Sequence, residues 1–202
     1  MTIDSNDILN SILSSLSRID YVRPEDIPNI DLYMDQITTF MEAHLSSSKR
    51  YEEDKILTKT MINNYSKNHL LPPSEKKKYS KEHVLLLIFI YYFKNILSIK
   101  DIETLLSPLT EKFFHTDSAT PLTSIYEEVC RFEKSRIEEL QENVKEMYQS
   151  SLHSFENANE EDQNFLQLFM FICSLSFDVY VKKQMIEKMI DLLPEPEKKK
   201  KS

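Results

Sequence analysis

This chain of 202 residues contains no glycine. Glycine takes positive backbone φ at no steric cost, so several classes of chemistry are lost with it. A phosphate-cradling P-loop, a dinucleotide-binding fingerprint and a nucleophile elbow each need backbone that only glycine allows. Hairpin-rich β folds are disfavoured as well, because their tightest turns use φ > 0. Leu, Ile, Lys, Glu, Met and Ser are plentiful and Val is scarce, which favours helix over strand. With 41% hydrophobic and 29% charged residues, the chain is an ordinary folded one that can bury a core. The expected fold class is all-α.

Compartment and partners follow from what is missing. Two cysteines, Cys130 and Cys173, cannot build a thiolate-rich zinc site and do not suggest a disulfide scaffold. Both fall among apolar residues and read as inert core thiols. The N-terminal MTIDSNDILN is acidic and lacks the basic-then-apolar order of a signal peptide. The longest apolar stretch, residues 165–181, is interrupted by Gln167, Ser174, Ser176 and Asp178, and reads as too short and too polar to span a bilayer. The expectation is a cytoplasmic protein with no membrane partner.

The net charge of −8 is unevenly spread. Residues 1–48 carry 2 basic and 8 acidic side chains, residues 49–100 carry 11 and 5, and residues 101–202 carry 12 and 20. A basic middle between acidic ends suits one local anion-binding surface, the electrostatic footprint of a small DNA-reading module. A solvated lysine-rich loop would look the same by charge alone.

Apolar spacing predicts helices over residues 7–16 and 31–45, separated by Pro24 and Pro28. Thr58 is a candidate N-cap for a helix over 59–68, with Ile62, Tyr65 and Met61 inward. Pro72 and Pro73 stop it. Ser80 opens an apolar helix over 81–96 with no wide polar face, the expected central buried helix. Ser98 and Asp101 have capping-box spacing and open a helix over 99–106, which Pro108 is expected to end. A long helix over 123–155 and a last helix over 164–193 complete the pattern as a C-terminal hairpin. The expected organisation is an N-terminal helix and linker (1–23), a central domain (24–118), a helical domain (119–193) and a disordered basic tail (194–202).

The informative stretch is residues 56–106, ILTKTMINNYSKNHLLPPSEKKKYSKEHVLLLIFIYYFKNILSIKDIETLL. Thr58, Tyr65, Leu70-Leu71-Pro72-Pro73, Lys76-Lys77-Lys78-Tyr79-Ser80 and the run from Ser98 to Leu106 stand in one order. In that order they resemble the MerR-type winged helix-turn-helix. RPEDIPNIDLYMDQITTFMEAHLSSSKR and LTKTMINNYSKNHLLPP extend the resemblance to a Firmicutes domain-of-unknown-function family, the YkrK-like proteins, regarded as transcriptional repressors. The resemblance implies a MerR-like winged helix-turn-helix domain that binds double-stranded DNA.

A recognition helix needs polar residues on the face away from its core. With Ile62 and Tyr65 inward, Thr60, Asn63 and Asn64 are the candidate base-reading residues, since Asn pairs bidentately with adenine. Lys59 and Lys67 flank them for phosphate, and Lys76, Lys77 and Lys78 sit where a wing tracks the DNA backbone. The wing is short, with Ser74 to Lys78 between Pro73 and Tyr79, which leaves open whether it closes as a hairpin. Asn63 and Asn64 stand where the family has an arginine and a tyrosine. Residues 46–57 must pack as an elaborated turn.

No cofactor is expected. The histidines share no ligand spacing, so no metal site is expected either. Neither a nucleophile–base pair nor an acid/base pair stands out, which argues against an enzyme. Phe165, Phe169, Phe171, Phe177 and Tyr180 on the last helix read as a core or dimer seam rather than a ligand box; Phe165 and Phe169 share a face with Ile172, while Phe171 points elsewhere. The expectation is a homodimeric regulator joined through its C-terminal helices, chiefly the helix over 123–155. An effector between those helices is unknown. The rival is a helical protein-interaction or assembly module without DNA binding, carried by residues 119–193.

Overall fold

The computed structural model describes residues 5–16 and 22–194. The protein is mostly helical, in line with an all-α class. Its helices are α1 (Ser5–Leu16), α2 (Met34–Leu45), α3 (Lys59–Lys67), α4 (Lys81–Phe93), α5 (Ile99–Phe113), α6 (Leu122–Ser135), α7 (Ile137–Leu152) and α8 (Glu160–Ile190). Two short strands, β1 (Leu32–Tyr33) and β2 (Lys78–Tyr79), pair antiparallel, Leu32 opposite Tyr79 and Tyr33 opposite Lys78. The chain divides into two compact units, residues 21–130 with 186–202, and residues 1–20 with 131–185. The divisions fall inside α6 and α8, whereas the sequence reading placed a boundary at 118/119. The proposed basic tail, from residue 195 on, lies outside the described residues.

The first unit is built around α4. Every side chain from His83 to Tyr91 is buried, as expected of a helix apolar on all sides. Ile37, Met41 and Leu45 of α2, Ile62 and Tyr65 of α3, and Ile102 and Leu106 of α5 pack into the same core. Burial raises the Tyr65 hydroxyl pKa above its ordinary value. The turn over residues 46–57 packs through specific links. The Ser48 hydroxyl lies 2.5 Å from the Tyr91 hydroxyl, Lys49 pairs with Glu42, and Lys94 donates to the Ile56 carbonyl at 2.8 Å. Lys94 also lies over the Tyr91 ring at 4.6 Å, and its burial lowers its pKa.

α5 does not stop at Pro108 but runs through it to Phe113. A helix-interior proline costs roughly 3 kcal/mol. Leu109 and Phe113, both packed against the core, offset it.

The second unit packs α1, α7 and α8 around Leu9, Tyr148 and Phe171, with the Tyr148 and Phe171 rings edge to face at 5.3 Å. Gln167 donates to the carbonyls of Leu152 (2.7 Å) and Ser154 (3.2 Å), satisfying acceptors left open at the end of α7. The expected single helix over 123–155 is broken at Arg136. Arg136 takes φ −97 and ψ −9, and its amide donates to the Glu133 carbonyl three residues back at 3.0 Å, a tightened turn between the two helices. The last helix starts at Glu160, four residues before the expected start, because the Asn159 carbonyl accepts from the amides of Asp162 (3.0 Å) and Gln163 (2.9 Å). Cys173 is exposed rather than in a core; Cys130 is buried.

The reading of the apolar stretch also changes. Glu161–Ile190 is long and apolar enough to cross a membrane by length and composition, with hydropathy 1.5 over its most apolar window. The uncharged Gln167, Ser174 and Ser176 weigh little against the aromatic and aliphatic residues around them, and the helix extends well beyond residues 165–181.

Candidate nucleic-acid interface

α3 is short, and its ends are well defined. Thr58 Oγ1 accepts from the Met61 amide at 3.2 Å, the expected N-cap. At the other end His69 takes φ 59, and the Leu70 amide donates to the Tyr65 carbonyl at 2.9 Å. That left-handed closure is a glycine's usual post. Ile62 and Tyr65 are buried and Met61 half-buried, so the helix turns Lys59, Thr60, Asn63, Asn64 and Lys67 to the surface. Asn64 Oδ1 accepts from Asn68 at 3.3 Å, which steadies its side chain. Lys59 is ion-paired with Asp35 in the first turn of α2.

The short wing does close. Glu75 and Lys78 exchange both backbone hydrogen bonds, at 3.0 and 2.8 Å, around the two central residues Lys76 and Lys77. Those residues have φ 48 and 64, the signs of a type I′ hairpin turn. Such turns prefer Asn-Gly; two non-glycine residues in the left-handed region cost on the order of 1–2 kcal/mol each. Lys76 and Lys77 are exposed, while Lys78 is half-buried with its ammonium over the Tyr33 ring at 5.3 Å. The wing and α3 therefore meet at one place. Lys78 touches Tyr33 and Lys59 touches Asp35, the two residues flanking Met34 at the junction of β1 and α2. Sequence reasoning found the lysines but not the carboxylate of Asp35 among them, because that pairing exists only once α2 and α3 pack.

A histidine cluster lies at the base of the wing. His83 Nδ1 accepts from the Ser80 amide at 3.0 Å, so His83 stands where a capping box normally has Glu or Gln. Burial drives its pKa from 6.5 down to about 4; the nearby His115 pushes the same way, while the Pro73 and Pro72 carbonyls and Asp31 oppose the shift. His115 Nε2 lies 2.9 Å from Ser80 Oγ, and the His115 amide donates to Glu82 at 2.7 Å. Among the described residues no group of histidine, cysteine, aspartate and glutamate side chains is arranged to hold a metal ion.

A family model described as a domain of unknown function, DUF1836, matches residues 22–129, more than half of the chain. The chain belongs to the DUF1836 family. No curated protein and no solved structure matches it. The DUF1836 segment nearly coincides with the 21–130 part of the first compact unit. It contains α2 to α5, most of α6, both strands and every candidate contact residue named above. α7 and α8 lie outside it.

Proposed function

We propose that this DUF1836 protein is a sequence-specific DNA-binding transcriptional regulator, a repressor, that acts as a homodimer. Its central unit would work as a MerR-type winged helix-turn-helix, in keeping with the resemblance to the YkrK-like proteins. The observation that carries the reading is the convergence at the β1–α2 junction. An exposed polar face on α3 and an exposed lysine turn flank the same two residues, Tyr33 and Asp35. In this reading Thr60, Asn63 and Asn64 meet base edges, while Lys59, Lys67, Lys76, Lys77 and Lys78 meet phosphates.

A second reading is a helical assembly module without DNA binding. It is favoured by the apolar residues that α8 leaves exposed. Titrating the full chain into labelled duplex DNA at several salt concentrations separates the two. The regulator binds with affinity that falls steeply with salt, and replacing Lys76, Lys77 and Lys78 with Ala reduces both the affinity and the salt slope. No binding at low salt would reject the regulator.

A further inference from the structure

The ribbon of β1 and β2 has two unlike faces. Leu32 and Tyr79, opposite one another, are buried in the core. Tyr33 and Lys78, the other opposed pair, lie on the outer face, and Tyr33 is 53% exposed. Tyr33 takes no part in the core, yet it is held in place. Its amide donates to Gln36 Oε1 at 2.8 Å, its backbone is fixed by the strand pairing, and the Lys78 ammonium lies 5.3 Å from the centre of its ring. A phenol and an ammonium thus stand ordered side by side at the surface.

We propose that Tyr33 is a further DNA-contacting residue, whose hydroxyl donates to a backbone phosphate that Lys78 also holds. Tyr33 adds to the DNA reading above and depends on it. Hydrogen bonds to an ionised acceptor are the strong ones, and tyrosine is among the side chains that hold phosphates on duplex DNA. The charges around the ring suit an anion. Lys76 and Lys77 project from the adjoining turn, and Lys59 stands on the α2 side, paired with Asp35. Asp31, Asp35 and Glu75 are the carboxylates of the same stretches. Asp35 is engaged by Lys59, Asp31 acts on His83, and the four lysines outnumber the three acids.

Tyr51 supplies the contrast. It is also 53% exposed, with the Arg50 guanidinium 5.2 Å from its ring. Glu52, Glu53 and Asp54 follow it directly, however, and Asp54 accepts from its amide at 3.0 Å. Those carboxylates repel a phosphate. A ring beneath a cation is therefore not enough, and the lysine turn beside Tyr33 makes the difference.

A phosphate contact positions the protein and carries no sequence information directly. A hydroxyl also displaces no counterion, whereas a lysine does. The test titrates the full chain and its variants, over a range of salt, into a duplex that the parent has selected from a randomised pool. Tyr33→Phe keeps the ring under the Lys78 ammonium and deletes only the hydroxyl. It should weaken binding by about threefold to tenfold, with the salt slope, the selected sequence and the urea midpoint unchanged. Lys78→Gln should lower the affinity and reduce the slope by about one. The double variant should lose less than the product of the two single losses, because both groups hold one phosphate. Tyr51→Phe should bind as the parent does.

Parent-like binding by Tyr33→Phe would overturn the inference and leave the DNA reading standing. So would an equal loss in Tyr51→Phe, or a loss in Tyr33→Phe matched by a fall in its urea midpoint, which would make the hydroxyl structural. A parent that retains no duplex at low salt rejects the DNA reading itself, and the phosphate contact with it.

Discussion

Lys76 and Lys77 are the residues where local cost and proposed function are most directly opposed. Both occupy left-handed backbone that Asn and Gly hold with less strain, and both project from the turn as exposed cations. Lys76→Asn with Lys77→Gly should therefore stabilise the fold by about 1–2 kcal/mol while weakening duplex binding, read from urea midpoints and from DNA titration. Stabilisation with unchanged DNA affinity would mean that the turn contacts no phosphate. Asp35 supplies the converse case. Its carboxylate holds Lys59 at the edge of α3, on an exposed surface. Asp35→Asn removes one negative charge and releases one cation, so DNA affinity should rise by about two- to fivefold at moderate salt. A fall in affinity would place Lys59 outside the contact surface.

His83 gives the residue scale its pH dependence. Its folded pKa of about 4 lies below the ordinary 6.5. Between those values the unfolded chain binds a proton that the folded chain refuses. The stability from this group is thus complete above about pH 6.5 and is lost as pH falls towards 4. The loss is at most about 3 kcal/mol. His83→Gln keeps an N3 acceptor for the Ser80 amide and removes the titration. Its urea midpoint should fall less than that of the parent between pH 6.5 and 4; parallel curves would assign the acid sensitivity to other groups.

At the scale of elements, the parts legible in the sequence are those fixed by local chemistry. α3 and α4 were readable because Thr58 and Ser80 mark their starts and apolar spacing marks their buried faces. The polar outer face of α3 followed from Ile62 and Tyr65 alone. The illegible parts depend on competition between local and distant terms. Pro108 is a helix stop by local rules, yet Leu109 and Phe113 gain enough from the core to carry α5 through it. The break between α6 and α7 reverses the case: the apolar spacing continues across Arg136, and nothing in the local sequence marks the turn there. The closure of the wing is not legible in a stretch as short as Ser74 to Lys78; the chain closes it with two lysines at positive φ.

At the scale of the whole molecule, lack of glycine proved compatible with the turns among the described residues. His69, Lys76, Lys77, His115 and Phe155 take the left-handed posts in its place. The lysines of the basic middle of the sequence stand exposed on α3 and the wing turn, with Asp35 paired to Lys59 among them. The acidic C-terminal half, residues 101–202, runs from α5 to α8, and α8 leaves Phe165, Phe169, Phe177 and Tyr180 exposed. The surface on α3 bears the regulator reading, and Asn63 is its most exposed commitment. Selecting bound duplexes from a randomised pool, with the full chain and with Asn63→Ala, tests it most directly. The parent should enrich one family of sequences with related half-sites about one helical turn apart, and Asn63→Ala should relax the preference at defined positions. Retention of no duplex by the parent at low salt, or retention without any sequence preference, would contradict it.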